Sequence, residues 1–317
     1  MEDQRTLFKA LLGDGRPFLS LTGTALCGSG AFAIFQSWSG HLLPHDSQTL
    51  GMDAEALIRA SNHHLLMFMF HDRVAFGGTL LSIGTAYWWL AEFPLREREP
   101  WAWWAFAISG FFGFASFLSY LGYGYLDSWH GAATIALLPI FLLGLWRSAQ
   151  SLPIPLNTSQ IWHPIAREES PNSRTGRYLI TACAGGLIVA GITIMGVGMT
   201  TVFVPQDLDF IGLTRDQIAS ISPQLVPVIA HDRAGFGGGL LSCGLLLAII
   251  MRHTPLTRSS IELLWLVALF GFGAALGVHG AIGYTDTIHL APAYAGLIIF
   301  LVGIWFCSRG RRQNFNQ

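Results

Sequence analysis

Charge is scarce in this chain. Asp, Glu, Lys and Arg make up 12% of its 317 residues, and Lys9 is the only lysine. An ordinary soluble domain carries about 25%. The formal net charge of −1 leaves no basic excess to neutralise phosphates, which excludes an electrostatic nucleic-acid binder. Cysteine is equally sparse: Cys27, Cys183, Cys243 and Cys307 all fall inside apolar stretches, without CxxC spacing. That pattern suggests neither a disulfide framework nor a thiolate metal site. A cleavable signal peptide is not expected either, because mixed-charge residues 1–16 precede the first apolar run and no short apolar core with a cleavage site follows.

What the chain has is apolar length. Hydrophobic residues reach 52% and the mean hydropathy is +0.47. Residues 17–45, 100–126, 128–146, 178–206, 263–285 and 287–308 contain no Asp, Glu, Lys or Arg, and two further charge-free runs cover 74–91 and 234–251. Each of the first six supplies the roughly 20 residues that a spanning helix needs; the last two extend N-terminally through one short charged cluster. The expectation is eight transmembrane helices. With the N-terminus inside, the inner segments hold 14 of the 18 basic residues, as the positive-inside rule requires. Both termini are therefore expected on the cytoplasmic side of a plasma (inner) membrane.

The sequence repeats itself. Residues 71–84 read HDRVAFGGTLLSIG and residues 231–244 read HDRAGFGGGLLSCG, identical at ten of fourteen positions. Residues 124–130 (GYLDSWH) match 283–289 (GYTDTIH), and Pro44, Asp46 and Gly51 match Pro205, Asp207 and Gly212. The fold class expected is all-α integral membrane: eight helices as two tandem four-helix bundles, 1–150 and 178–317, joined by a cytoplasmic linker, 151–177. An even number of spans per half gives both halves one orientation, hence a parallel pseudo-two-fold along the membrane normal.

Polar residues concentrate at one depth. His71, His130, His231 and His289 lie on the second, fourth, sixth and eighth spans, 16 to 20 residues from the inner ends. At about 1.5 Å per residue that is roughly 24–30 Å, the outer edge of the hydrocarbon. Ionisable groups at such depth are costly and usually face the bundle interior. His71, Asp72 and Arg73, with His231, Asp232 and Arg233, are read as a site built twice, or alternatively as a salt-bridge cluster locking the repeats. Asp127 with His130, and Asp286 with His289, share a helical face; the aspartates are metal ligands, orienting partners of an imidazole, or N-caps. The glycine pairs Gly77–Gly78 and Gly237–Gly238 suit close helix packing. The halves also differ: His64 stands where the second half has Gln224, and His279 where the first has Tyr120.

Three functions fit these residues. In a haem protein, imidazoles would be axial ligands and Arg73 and Arg233 would pair with propionates, with His279 lining the cofactor pocket. In a non-haem enzyme, His71, Asp72, Asp127 and His130, with His64 nearby, would act on the substrate, and the matched His231, Asp232, Asp286 and His289 would complete a ligand set suited to Fe or another divalent transition metal. In a transporter, Asp and His would relay protons, and a structural or pigment-binding subunit is the plainest alternative. The one-histidine-per-even-span plan resembles the haem A synthase family, in architecture and at those four positions. The resemblance implies a resident haem b on His231 and His289, with His71 and His130 lining the catalytic pocket. The function expected is a metal-dependent, haem-type oxidoreductase opening to the outer leaflet. Its partners would be the membrane and a lipid-soluble small molecule: a quinone, a lipid or a tetrapyrrole.

Overall fold

The structure, a computed structural model, describes residues 6, 12–118, 128–163 and 169–315, except the side chains of 117, 118, 130 and 313–315. Among the described residues all regular structure is helical. In chain order the first half contains α1 (Arg16–Trp38), the short α2 (Pro44–Leu50) and α3 (Ala54–Ala60), then α4 (His63–Glu92), α5 (Pro100–Leu118) and α6 (Ser128–Ser151). A single turn, α7 (Ser159–Trp162), lies in the linker. The second half repeats the plan with α8 (Pro171–Gly198), the short α9 (Pro205–Ile211) and α10 (Arg215–Ile221), α11 (Leu225–His253), α12 (Arg258–Val267), a π-helical turn (Ala268–Phe272), α13 (Gly273–Ile282) and α14 (Thr287–Phe315). Among the described residues seven helices are long and apolar enough to cross a membrane, taking α12 to α13 as one. The remaining span expected from the sequence, 100–126, carries α5, and its last residues lie outside those described.

Local chemistry sets the helix ends. The Asn62 side chain accepts from Leu65 N–H at 2.9 Å and starts α4; Asp286 accepts from His289 N–H at 2.7 Å and starts α14. These caps satisfy amides that the first turn leaves without a partner. The matched Pro-x-Asp and Gly of the outer loops are the two ends of one short helix. Pro44 and Pro205 occupy its first turn, and Gly51 and Gly212 cap it at φ 65° and 72°, a left-handed conformation that glycine adopts without penalty.

The centre of the molecule is the pair α4 and α11, most of whose residues are buried. Helix α1 packs along α4, and α8 along α11. Between lipid-embedded helices there is no hydrophobic driving force, so close backbone approach has to supply the attraction. It does so here: a Cβ on Gly84 would stand 2.6 Å from the Gly23 carbonyl oxygen, and one on Gly237 would stand 2.7 Å from that of Gly191.

The halves do not close separately. Helix α5 packs chiefly on α11, and α12, the π turn and α13 pack on α4, so each central helix takes a neighbour from the other repeat. The expected pair of self-contained four-helix bundles is corrected in this respect: the repeats are interleaved. The repeated Leu-Leu-Ser explains part of the exchange. Ser82 donates to the Val267 carbonyl at 3.5 Å and Ser242 to that of Ser109 at 2.8 Å, both across the halves. Over the N-terminal ends of α4 and α11, Leu57, Ile211, Ile218, Phe203 and Leu225 form one buried cluster with Leu65 and Phe68. All four short helices contribute to this cap, through Leu50, Leu57, Ile211 and Ile218.

Candidate metal centre

The first layer of the site is a charge network exchanged between repeats. Arg73 pairs with Asp46 of its own half and with Asp232 of the other, at 3.1 Å from the latter. Arg233 repeats the pattern with Asp207 at 2.7 Å and Asp72 at 3.2 Å. All six side chains belong to residues no more than 7% exposed. Asp207 is held most fully: it also accepts from Val204 N–H at 2.8 Å and from the Tyr284 hydroxyl at 2.9 Å. Four carboxylates and two guanidiniums leave this set two negative charges in excess. Buried charge requires compensation.

The second layer is three histidines. His71 from α4, His279 from α13 and His289 from α14 each bring one nitrogen within 4.8 Å of the other two. The partners of their other nitrogens fix the tautomers of two of them. His279 Nδ1 lies 2.6 Å from the Ala275 carbonyl, which can only accept, so this nitrogen carries the proton. His71 Nδ1 stands 3.0 Å from Asp72 Oδ1, a close contact to another pure acceptor. His289 Nδ1 faces the Tyr284 hydroxyl at 3.3 Å, and that hydroxyl gives its own proton to Asp207. Burial pushes the Tyr284 hydroxyl up, and the Asp207 carboxylate adds to the shift, so the phenol keeps its proton and its oxygen accepts from His289. In His279 and His289 Nδ1 is then the N–H, whereas His71 Nδ1 makes no hydrogen bond of its own and leaves the His71 proton free to sit on either nitrogen.

Two of the ring nitrogens meet closely. His71 Nε2 and His279 Nε2 are 3.0 Å apart, in rings whose planes cross at 81°. That is the distance of a hydrogen bond donated by His71 Nε2 to His279 Nε2, and also close to the spacing of two ligand nitrogens around one cation. Ligand nitrogens about 2.0–2.1 Å from a tetrahedral ion are about 3.3 Å apart, so the spacing suits a single small metal ion. A proton on the Nδ1 side of each ligating imidazole, held by a carboxylate, a carbonyl or a hydroxyl, is the usual outer support of such a site.

The remaining residues singled out in the sequence fall around this centre. Asp72 and Asp232 are engaged by Arg233 and Arg73, and both arginines lie among carboxylates. Asp286 caps α14. His64 is exposed and stacks on Phe210 at 5.0 Å, and Phe210 stacks in turn on Tyr284 at 4.6 Å. His231 is buried on α11, beside Asp232. His130 opens α6, but its side chain, like Asp127 and Tyr120, lies outside the described residues. The resemblance pairs His289 with His231 and His71 with His130; the structure sets His289 beside His71, with ring centres 6.2 Å apart. Asp46, Asp207 and Tyr284 were missed as site residues. Their signal was present, since all three sit in segments that match between the halves.

Compared with known protein families, with curated proteins and with solved structures, the chain matches none.

Proposed function

We propose that this chain is a multi-pass membrane protein with a non-haem metal centre: one divalent transition ion held by His71, His279 and His289 near the outer leaflet. The observation that carries this reading is the convergence of three imidazoles, each with one nitrogen within 4.8 Å of the others, with Nδ1 of His279 and His289 committed elsewhere. Three neutral nitrogens leave a fourth position for water or substrate, where a bound ion acts as a Lewis acid and lowers the pKa of the water. The two surplus carboxylate charges nearby offset the charge of the ion. We read the protein as a metal-dependent enzyme acting on a lipid-soluble molecule, spanning the membrane eight times with both termini inside and the halves related by a pseudo-two-fold.

Haem b fits the His71–His279 pair poorly. Two axial imidazoles must approach one iron from opposite faces of a flat ring, with nitrogens roughly 4 Å apart. Here the two Nε2 atoms are 3.0 Å apart, and a third imidazole stands beside them. A proton-coupled transporter needs polar steps across the whole bilayer; below the histidine layer, 74–91 and 234–251 carry no charged residue.

The test is metal analysis of the detergent-purified full chain after incubation with Zn, Fe, Mn or Cu in turn. The expected result is about one ion per chain for at least one metal, the stoichiometry of a single three-histidine site. It should be lost in His71→Ala, His279→Ala and His289→Ala and kept in His64→Ala. Absence of every metal, or retention in all three triad variants, overturns the reading; a Soret band replaces it with haem.

A further inference from the structure

The three convergent histidines come from α4, α13 and α14. Yet one side chain of α11 reaches the outer nitrogens of two of them. Arg233 Nε lies 3.2 Å from Asp72 Oδ2, and Asp72 Oδ1 stands 3.0 Å from His71 Nδ1. On its other side Arg233 Nη1 lies 2.7 Å from Asp207 Oδ2. Asp207 Oδ1 accepts from the Tyr284 hydroxyl at 2.9 Å, and that oxygen faces His289 Nδ1 at 3.3 Å. Each carboxylate thus gives one oxygen to the guanidinium and turns the other toward a ligand. His279 is supported differently, by the Ala275 carbonyl one turn back in its own helix.

The guanidinium is itself held on further sides. Its Nη1 also donates to the Val202 carbonyl at 2.9 Å. Val202 is buried and sits at φ 69°, a left-handed conformation that sterics make a genuine outlier for a β-branched residue. The Arg233 guanidinium carbon lies 4.9 Å from the centre of the Phe68 ring, a cation–π contact. Phe68 in turn stacks on the His71 imidazole, with ring centres 5.9 Å apart. Backbone strain accepted at one buried valine, with its carbonyl on this arginine, indicates that the orientation of the side chain matters as well as its charge.

Orientation is what a metal ligand needs from its surroundings. A neutral imidazole offers Nε2 to an ion only while its proton is on Nδ1, so an acceptor fixed at Nδ1 selects both the tautomer and the ring angle. The acceptors standing there are Asp72 and the Tyr284 oxygen. Arginine suits the task of fixing two such arms, because its N–H donors form a rigid planar fork, whereas lysine is a point charge on a flexible stem. The repeat supplies an internal comparison. Arg73 makes the matching pairs, with Asp46 and Asp232, but the histidine beside Asp232 is His231, which is not one of the convergent three. Clamping the halves together engages both arginines; supporting the ligands engages Arg233.

We infer that Arg233 is a positioning residue of the metal centre: a single guanidinium sets the ring orientation of both His71 and His289, through Asp72 on one arm and through Asp207 and Tyr284 on the other. The inference rests on the metal centre proposed above and assigns Arg233 no contact with the ion. It gives the two matched arginines different duties, although they occupy equivalent places in the repeat. It also ties the ion to the central helix pair, since a shift of α11 against α4 moves the supports of two ligands at once.

The test is the zinc affinity of the detergent-purified full chain, measured by competitive chelator titration, with the visible spectrum of the cobalt-loaded chain as the reporter of ligand geometry. Arg233→Lys keeps the charge and removes the fork. It should lower zinc affinity about 10–100-fold, the usual effect of losing an outer partner, and shift the cobalt bands, with the ion still bound at saturation. Arg73→Lys should lower the unfolding temperature to a similar extent but cost about tenfold less in affinity. In a chain carrying Tyr284→Phe one arm is already cut, so Arg233→Lys should cost less there than it does alone. Should Arg233→Lys fail to fold, Asp72→Asn carries the same test: it keeps the side chain's shape, weakens only the His71 arm, and should lower affinity and shift the bands. Equal losses in the two lysine variants, full additivity with Tyr284→Phe, or unshifted cobalt bands overturn the inference and leave the metal centre standing. Failure of the unaltered chain to bind zinc or cobalt removes the metal centre itself, and this inference with it.

Discussion

At the scale of single residues, Tyr284 is the most informative side chain. It is not among the three convergent histidines, yet it links two of the site's layers by donating to Asp207 and facing His289 Nδ1. Tyr284→Phe keeps the ring and its stacking on Phe210 while removing the oxygen that holds the His289 tautomer. Loss of such an outer partner typically lowers metal affinity by about 10–100-fold, and a competitive chelator titration should show that drop with the stoichiometry unchanged. Unaltered affinity would mean that His289 is oriented by packing alone. His279 teaches the complementary lesson. The sequence marked it as a difference between repeats, Tyr120 against His279, but periodicity cannot say which helices become neighbours. That His279 meets His71 follows from α13 packing on α4, a tertiary fact.

At the scale of helices, the exchanged arginine–aspartate pairs bind the halves together. Arg233 reaches Asp207 in its own half and Asp72 in the other, and Arg73 mirrors it. Removing one partner of a buried pair strands the other, at a cost of about 3–5 kcal/mol. Arg233→Met should therefore lower the unfolding temperature in detergent sharply, and adding Asp72→Asn should recover part of the loss by removing one stranded charge. A double variant less stable than the single one would contradict the pairing. The Asp-Arg element was legible because it recurs at 72–73 and 232–233 in a charge-poor chain. Its exchange across halves was not, since identical motifs pair equally well within or between repeats. Asp46 and Asp207 show another limit: they belong to outer loops, outside the apolar spans where ionisable groups attract notice, and become site residues only because α2 and α9 fold back over the helix ends. The glycine pairs serve close packing as the sequence suggested: Gly77 and Gly237 bring α1 onto α4 and α8 onto α11, while Gly78 and Gly238 admit α13 with the π turn and α5 from the other half.

At the scale of the whole molecule, the charge asymmetry of the sequence predicts where the site lies relative to the membrane. If the inner segments are those rich in arginine, a reporter inserted in the linker 151–177 should be active only on the cytoplasmic side; activity outside would invert the membrane and place the histidines inward. The short helices form an apolar cap over the N-terminal ends of α4 and α11. The central claim is that three imidazoles share one ion beneath that cap. X-ray absorption on the purified, metal-loaded chain tests it most directly. The account predicts three imidazole nitrogens and one oxygen at about 2.0–2.2 Å, the distances of a three-histidine site with an open position, and loss of one imidazole's scattering in His279→Ala. A first shell of carboxylate oxygens without imidazole, or four porphyrin nitrogens in a plane, would contradict it.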